Sequence, residues 1–208
     1  MEIMKLNSQH KIEAAKVLAD SFYHYPQLKH YFPDTIKRSK YLKWYMGKVL
    51  NCAMRYGEAF AASDMSGVIF ILPPGHTKIT TFEYAINGFL LVPFIFGLRQ
   101  YAKVMECEDF AVKTHEEIMT GRAHYYLWGL AVDPVKQRSG VGSGLLKPLL
   151  DKADLENMPV YLETHDEKNV LYYQQKGFAL IKTDMITGHD LRIWCMVREP
   201  EAMTAKPS

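Results

Sequence analysis

The stretch from His124 to Leu150, HYYLWGLAVDPVKQRSGVGSGLLKPLL, constrains this chain most. Tyr125 to Val132 is an apolar run interrupted only by Gly129, and it reads as a buried strand. Asp133-Pro134 stops it, because proline brings no N–H to a ladder and disfavours helix in the residue before it. Gln137-Arg138-Ser139-Gly140-Val141-Gly142-Ser143-Gly144 then leads directly into a helix, with Val141, Leu145, Leu149 and Ala153 on one face. A strand, a glycine loop and a helix in this order suit an anion. Glycines leave backbone N–H groups open, and the first helical turn has free donors and a partial positive charge. The plain alternative is a flexible turn with no ligand.

Two familiar phosphate loops do not fit. A P-loop requires Lys-Ser or Lys-Thr after its last glycine, and Leu145-Leu146 follows Gly144. A dinucleotide fingerprint requires Gly-x-Gly-x-x-Gly, a spacing that 140–144 lacks. Gln-x-x-Gly-x-Gly does fit, as Gln137 to Gly142. With the preceding Leu130-Ala131-Val132-Asp133-Pro134 it resembles the coenzyme A motif of the GNAT acetyltransferase superfamily.

A second pattern follows at a matching distance. Leu162-Glu163-Thr164 precedes Asn169-Val170 and Tyr173, and Gly177-Phe178 come after. Asn169 and Tyr173 are four apart and share a helix face. This resembles the second GNAT motif, and within it the puromycin N-acetyltransferase-like branch, where a leucine-rich helix carrying a proline also follows the glycine loop. The resemblance covers roughly residues 124–180. It implies an α+β fold, with a central mixed sheet of about six or seven strands flanked by helices.

The roles implied run residue by residue. Leu130, Ala131 and Val132 would present backbone groups to the pantetheine arm. Gln137, Arg138, Ser139, Gly140, Val141, Gly142, Ser143 and Gly144 would hold the pyrophosphate, chiefly by N–H groups, with Arg138 adding charge. Asn169 would bond the pantetheine, and Tyr173 would sit near the thioester sulfur as the catalytic tyrosine. Acetyl-CoA is the implied co-substrate, with no metal, and a small primary amine the implied acceptor. The alternative is a non-catalytic acyl-CoA sensor or interaction module on the same fold.

Direct attack by an amine makes three demands. The amine must be neutral, which at a pKa of about 10.4 costs roughly 4.6 kcal/mol at pH 7. A base or water chain must take the proton. The carbonyl oxygen needs a donor as charge develops, and an N–H of Leu130 to Val132 is placed to serve. Tyr173 as a full acid to the thiolate is uphill by roughly 2 kcal/mol, so a hydrogen bond to sulfur is the more economical role. Some GNAT members carry a base on the strand before the loop, yet His124 to Val132 holds no carboxylate. Glu163 ranks first as the base, ahead of His124 and His115. Tyr172 reads as a core aromatic with a satisfied hydroxyl.

Composition bounds the rest. At 208 residues, 48% hydrophobic and 23% charged, the chain suits one globular domain, expected over 1–199, with a flexible tail at 200–208. A net charge of +2 argues against a nucleic-acid or membrane partner. Three widely spaced cysteines and no leader-like start point to a cytoplasmic protein, and no zinc spacing appears. A monomer or homodimer is expected.

Periodicity and punctuation predict the remaining elements. An edge strand is expected at Ile3–Leu6. A helix follows at Ile12–Phe22, ended by Tyr25-Pro26. A second helix spans Thr35–Tyr56, with Asp34-Thr35 as its cap, Gly57 as its stop, and its Lys and Arg residues as a solvated face. Hairpin strands follow at Ala59–Ser63 and Val68–Leu72. A helical insertion at about 80–120 should break near Pro93 and again near Glu106–Asp109. Its apolar stretch, Ile86–Leu98, is too short to span a bilayer and reads as core or as a pocket wall. Pro148 should bend the helix after the glycine loop. A strand at Pro159–Leu162 ends in Glu163-Thr164. Thr164 and Glu167 form a capping-box pattern for a helix to Lys176. Strands close the chain at Phe178–Thr183 and Leu191–Val197.

Overall fold

The computed structural model describes residues 1–201, so the expected tail lies, from residue 202 onward, outside the described residues. Seven strands are present there: β1 (Ile3–Lys5), β2 (Glu58–Ala62), β3 (Gly67–Leu72), β4 (Tyr125–Val132), β5 (Val160–Thr164), β6 (Ala179–Met185) and β7 (Arg192–Arg198). They form one mixed sheet in the order β1-β2-β3-β4-β5-β7-β6. The helices are α1 (Lys11–Ser21), α2 (Pro26–Tyr31), α3 (Thr35–Tyr56), α4 (Thr81–Ile86), α5 (Val92–Phe96), α6 (Leu98–Ile118), α7 (Val141–Leu155) and α8 (Lys168–Gln174). None is long and apolar enough to cross a membrane.

Two apolar clusters lie on opposite faces of the sheet. One joins Val68, Phe70 and Tyr161 to side chains of α1, α3 and α6. The other joins Ile69, Ile71 and Leu162 to α7 and α8. The alternation follows from the pleat, which sends successive side chains to opposite faces.

One parallel pair opens the sheet. β4 and β5 are paired only at Tyr125–Val160 and Tyr126–Tyr161. Beyond these, β4 continues along β3 while β5 continues along β7. A gap therefore widens between Leu127–Val132 and Leu162–Thr164.

A β-bulge shapes one lip of this gap. Phe70 faces Gly129 and Ile71 faces Leu127, so Trp128 is the extra residue. The insertion reverses the phase of the strand: Tyr126 and Ala131 pack on one face, Tyr125 and Leu127 on the other. Gly129 is required by close approach, because a Cβ there would stand 2.1 Å from the Phe70 ring. Phe70 is buried and tilted edge-on against Trp128, so it has little room to yield. Gly129→Ala is expected to destabilise by about 2–3 kcal/mol through overpacking. Urea unfolding checks this, with a lower midpoint at unchanged slope.

The long helix α3 has the predicted limits. The Asp34 carboxylate accepts from the Ile36 and Lys37 N–H groups, and Gly57 ends the helix. Its solvated face has one exception. Arg38 is 5% exposed and donates to the carbonyls of Phe32 and Pro33, satisfying backbone acceptors just past α2. Tyr25-Pro26 does more than end α1. Pro26 opens α2, where its missing N–H costs nothing.

The insertion departs further from expectation. The break expected near Pro93 takes the form of short pieces: α4 ends at Ile86, Pro93 lies in the first turn of α5, and the chain turns at Gly97, whose φ is 88°. α6 runs unbroken through Glu106–Asp109, because acidic residues sit comfortably on a helix whose Val104, Cys107 and Ala111 are buried. The Ile86–Leu98 stretch is core on one side only: Val92 and Phe96 are buried, whereas Phe94 is 86% exposed. The capping box does not form. The Thr164 hydroxyl is held by Tyr25 and Asn169, and the Asp166 carboxylate accepts the Lys168 N–H instead. α7 continues through Pro148 without interruption.

Candidate active site

The glycine loop starts where β4 ends. The Asp133 carboxylate accepts the Val135 N–H, and a single 3-10 turn spans Pro134–Lys136. The Ser139 hydroxyl donates to the Lys136 carbonyl at 2.6 Å, and the Gln137 amide donates to the Val132 carbonyl at 3.5 Å. Arg138 and Gly140 are left-handed, with φ of 63° and 89°, which reverses the chain into α7. The first α7 bond runs from the Gly144 N–H to the Gly140 carbonyl at 2.9 Å. The N–H groups of Val141, Gly142 and Ser143 thus precede the helical ladder. Gly144 differs from expectation, since its N–H is already engaged. Leu145, Leu146 and Leu149 anchor α7 in the sheet and hold its N-terminus at the open end of the gap.

Two cavities meet inside the gap. The smaller, about 110 Å³, is lined by Leu130 on one lip and by Thr164, Asn169 and Tyr173 on the other. The larger, about 430 Å³, is walled by Ile79, Val112, Met119, His115, His124 and Tyr126. Tyr84, Glu108, Trp128 and Glu163 line both.

Glu163 occupies the junction because β5 points it to the same face as Tyr161. The Tyr126 hydroxyl donates to its Oε1. Its Oε2 and the Tyr161 hydroxyl, both buried, lack good hydrogen-bond geometry to any described residue. Burial pushes the carboxyl up to about 7, the Tyr126 hydrogen bond opposes this, and the Glu108 charge adds to it.

Glu108 was hidden in the sequence by the break expected at Glu106–Asp109. It accepts from the Tyr31 hydroxyl at 2.9 Å and the Gln27 amide at 3.3 Å, and burial raises its carboxyl pKa. A readable signal existed. Val104, Ala111 and His115 are buried on α6, and Glu108 falls at helical spacing among them.

His115 and His124, the lower-ranked base candidates, are buried and paired with each other. Their Nε2 atoms are 2.7 Å apart, and His124 Nδ1 lies 2.7 Å from the Arg122 carbonyl. His124 therefore carries its proton on Nδ1 and accepts from His115 through Nε2. His115 also stacks on Tyr161, centroids 4.0 Å apart. Burial pushes His115 down to about 3 and lowers His124, so both rings are neutral at pH 7.

Asn169 and Tyr173 lie together on the gap wall as the spacing predicts. The Asn169 amide donates to the Thr164 hydroxyl at 3.0 Å. Tyr173 is 9% exposed, and burial raises its pKa. Tyr172 departs from expectation: its hydroxyl is buried without a partner among the described residues. It faces the loop, 3.2 Å from where a Cβ on Gly142 would stand.

A splayed parallel pair, a bulged strand on one lip and a glycine loop feeding a helix at its open end define the class: the chain has the GNAT fold. The model of the Acetyltransferase (GNAT) family matches residues 96–178, which takes in α6, β4, the glycine loop, α7, β5 and α8. Solved structures agree along nearly the whole chain. A Corynebacterium glutamicum protein described as histone acetyltransferase HPA2 and related acetyltransferase superposes with a TM-score of 0.69 at 18% identity, covering 98% of both chains. Drosophila melanogaster polyamine N-acetyltransferase gives 0.64 at 13% identity, covering 95% of this chain and 99% of that one. The ribosomal-protein-S18-alanine N-acetyltransferase of Escherichia coli gives 0.55 at 14%, covering 100% and 97%. The family match over residues 96–178 and the structural neighbours agree on the GNAT fold.

Proposed function

We propose that this chain is an N-acetyltransferase that moves an acetyl group from acetyl-CoA to a primary amine on a small molecule. The pyrophosphate rests on the loop 137–143, where Val141, Gly142 and Ser143 offer N–H groups and Arg138 a charge. The pantetheine runs along the free edge of β4 past Leu130, Ala131 and Val132, opposite Asn169. The orphaned Tyr172 hydroxyl is a further donor on this path. The acceptor enters through the larger cavity, whose walls suit an amine on an apolar body.

The observation that carries this reading is the Glu163 carboxyl, buried where the two cavities meet. With a pKa of about 7 it is ionised in a large share of molecules at neutral pH. It takes a proton from the acceptor ammonium, and Glu108 beside it favours the arrival of that cation. The freed amine attacks the acetyl carbon, the carbon–sulfur bond breaks, and the thiolate leaves with a hydrogen bond from Tyr173. The extra proton on the new amide nitrogen passes to the sulfur, and Glu163 returns its own to solvent. The raised Tyr173 pKa makes early proton transfer harder still, so the proton moves late. An N–H on the β4 edge steadies the oxyanion.

The reading further takes residues 1–199 as one cytoplasmic acetyltransferase domain, monomeric or homodimeric. Its Leu162-Glu163-Thr164 and Asn169-Val170 resemble the puromycin N-acetyltransferase-like branch, and the reading takes that branch as the nearest. Purified protein with acetyl-CoA and a panel of primary amines, followed by thiol release, tests it. Tyr173→Phe is expected to lower kcat by about 100-fold with little change in KM for acetyl-CoA. Coenzyme A binding without turnover, and indifference to Tyr173→Phe, would instead indicate an acyl-CoA sensor.

A further inference from the structure

Three donor side chains meet where α2, α6 and the turn between β6 and β7 converge. His30 Nε2 and His189 Nδ1 are 3.0 Å apart. With Cys107 Sγ, these ligand atoms all lie within 4.8 Å of one another. Cys107 is buried and both rings are half-buried. No spacing pattern along the chain announces this group, because its members come from distant segments.

The neighbouring carboxylate sets the chemistry. His189 Nε2 faces Glu106 Oε2 at 3.0 Å, so Nε2 carries the proton and donates it. Nδ1 is then a lone pair facing His30 Nε2, with Cys107 Sγ within 4.8 Å. A carboxylate behind the far nitrogen orients metal-bound histidines in just this way. A nearby cation, Lys103, is held at the His30 backbone carbonyl.

We propose that His30, Cys107 and His189 form a binding site for a divalent transition metal, zinc by donor type, with water as fourth ligand. Two imidazole nitrogens and one thiolate are a soft, tetrahedral donor set. Bond lengths of about 2.0–2.1 Å to nitrogen and about 2.3 Å to sulfur require donors roughly 3.3–3.8 Å apart. The cluster reaches that by side-chain shifts of about 1 Å. The cation takes the place of the proton between the two rings, which passes to His30 Nδ1 as that ring changes tautomer, and the Cys107 thiol proton leaves to solvent.

The site braces the acceptor cavity from behind. Tyr31 follows His30, Glu108 follows Cys107, and the Tyr31 hydroxyl donates to Glu108. A metal bridging α2 and α6 would hold Glu108 and Gln27 in the cavity wall. This proposal needs no acetyl transfer and stands apart from the catalytic reading.

Cobalt(II) titration of the chelator-treated full chain tests it. The expected result is one equivalent bound at micromolar affinity or tighter, with a near-ultraviolet thiolate band and visible tetrahedral bands that zinc abolishes. Cys107→Ser should lose the thiolate band, and Glu106→Gln should weaken binding by about 10–100-fold. Cys52 and Cys195 are buried elsewhere and serve as internal controls. No thiolate band in the folded wild-type chain, or the same band in Cys107→Ser, would overturn the proposal and leave a Glu106–His189–His30 hydrogen-bond relay beside a packed thiol.

Discussion

Glu163→Gln is expected to lower kcat by about 10²–10⁴-fold, the range a positioned base supplies, while making the protein more stable above pH 7. Both effects have one source. Burial raises the carboxyl from its usual 4.5 to about 7. Between those values the folded chain holds more protons than the unfolded chain, so stability falls as pH rises through that window. The full difference, about 2.5 pKa units, corresponds to roughly 3 kcal/mol. Gln keeps the shape and cannot ionise, so the variant escapes this loss. Its denaturation midpoint should therefore be less pH-dependent between pH 5 and 8 than that of the wild type. The wild-type kcat/KM should bend near pH 7 as the base ionises, and that bend should vanish in the variant. A variant that turns over at the wild-type rate with saturating amine would remove Glu163 from the chemistry and leave a water chain to carry the proton.

Gly140→Asp is expected to abolish useful coenzyme A binding, weakening it by at least about 100-fold, which is about 2.7 kcal/mol. Gly140 sits at the N-cap of α7 with φ of 89°, and a Cβ there would meet nothing within 4 Å. The fold therefore has room for the side chain. Strain from the left-handed backbone, about 1–2 kcal/mol, is partly offset because Asp is a favoured N-cap residue next to the helix dipole. Binding suffers from the opposite sign of the same electrostatics: the carboxylate occupies the anion's place and repels it. Calorimetry with coenzyme A, beside a thermal melt, separates the two. Undiminished binding in a folded variant would show that the diphosphate lies elsewhere.

The two regions differ in how far they were legible beforehand. β4, its loop and α7 could be read because every signal is local. An apolar run, a proline stop, a glycine-rich loop and a leucine face act within a few residues of where they appear. The same holds for α3, with Asp34 before it and Gly57 after it. Glu163 was readable as the first candidate base at a strand end, but its burial against Tyr126 and Tyr161 was not. Glu108 lay inside an acidic run that resembled a break. The pairing of His115 with His124, and of His30 with His189, crosses from one element to another.

The sequence alone determined the strand, glycine loop and helix of 125–155 and the limits of α3, since these depend on propensity, sterics and short-range hydrogen bonds. Only the tertiary structure decided the electrostatics of the site. A carboxyl acquires a pKa near 7, and two imidazoles become neutral, when distant elements pack around them and exclude water. That desolvation depends on the whole assembled surroundings and is carried by no single stretch of chain.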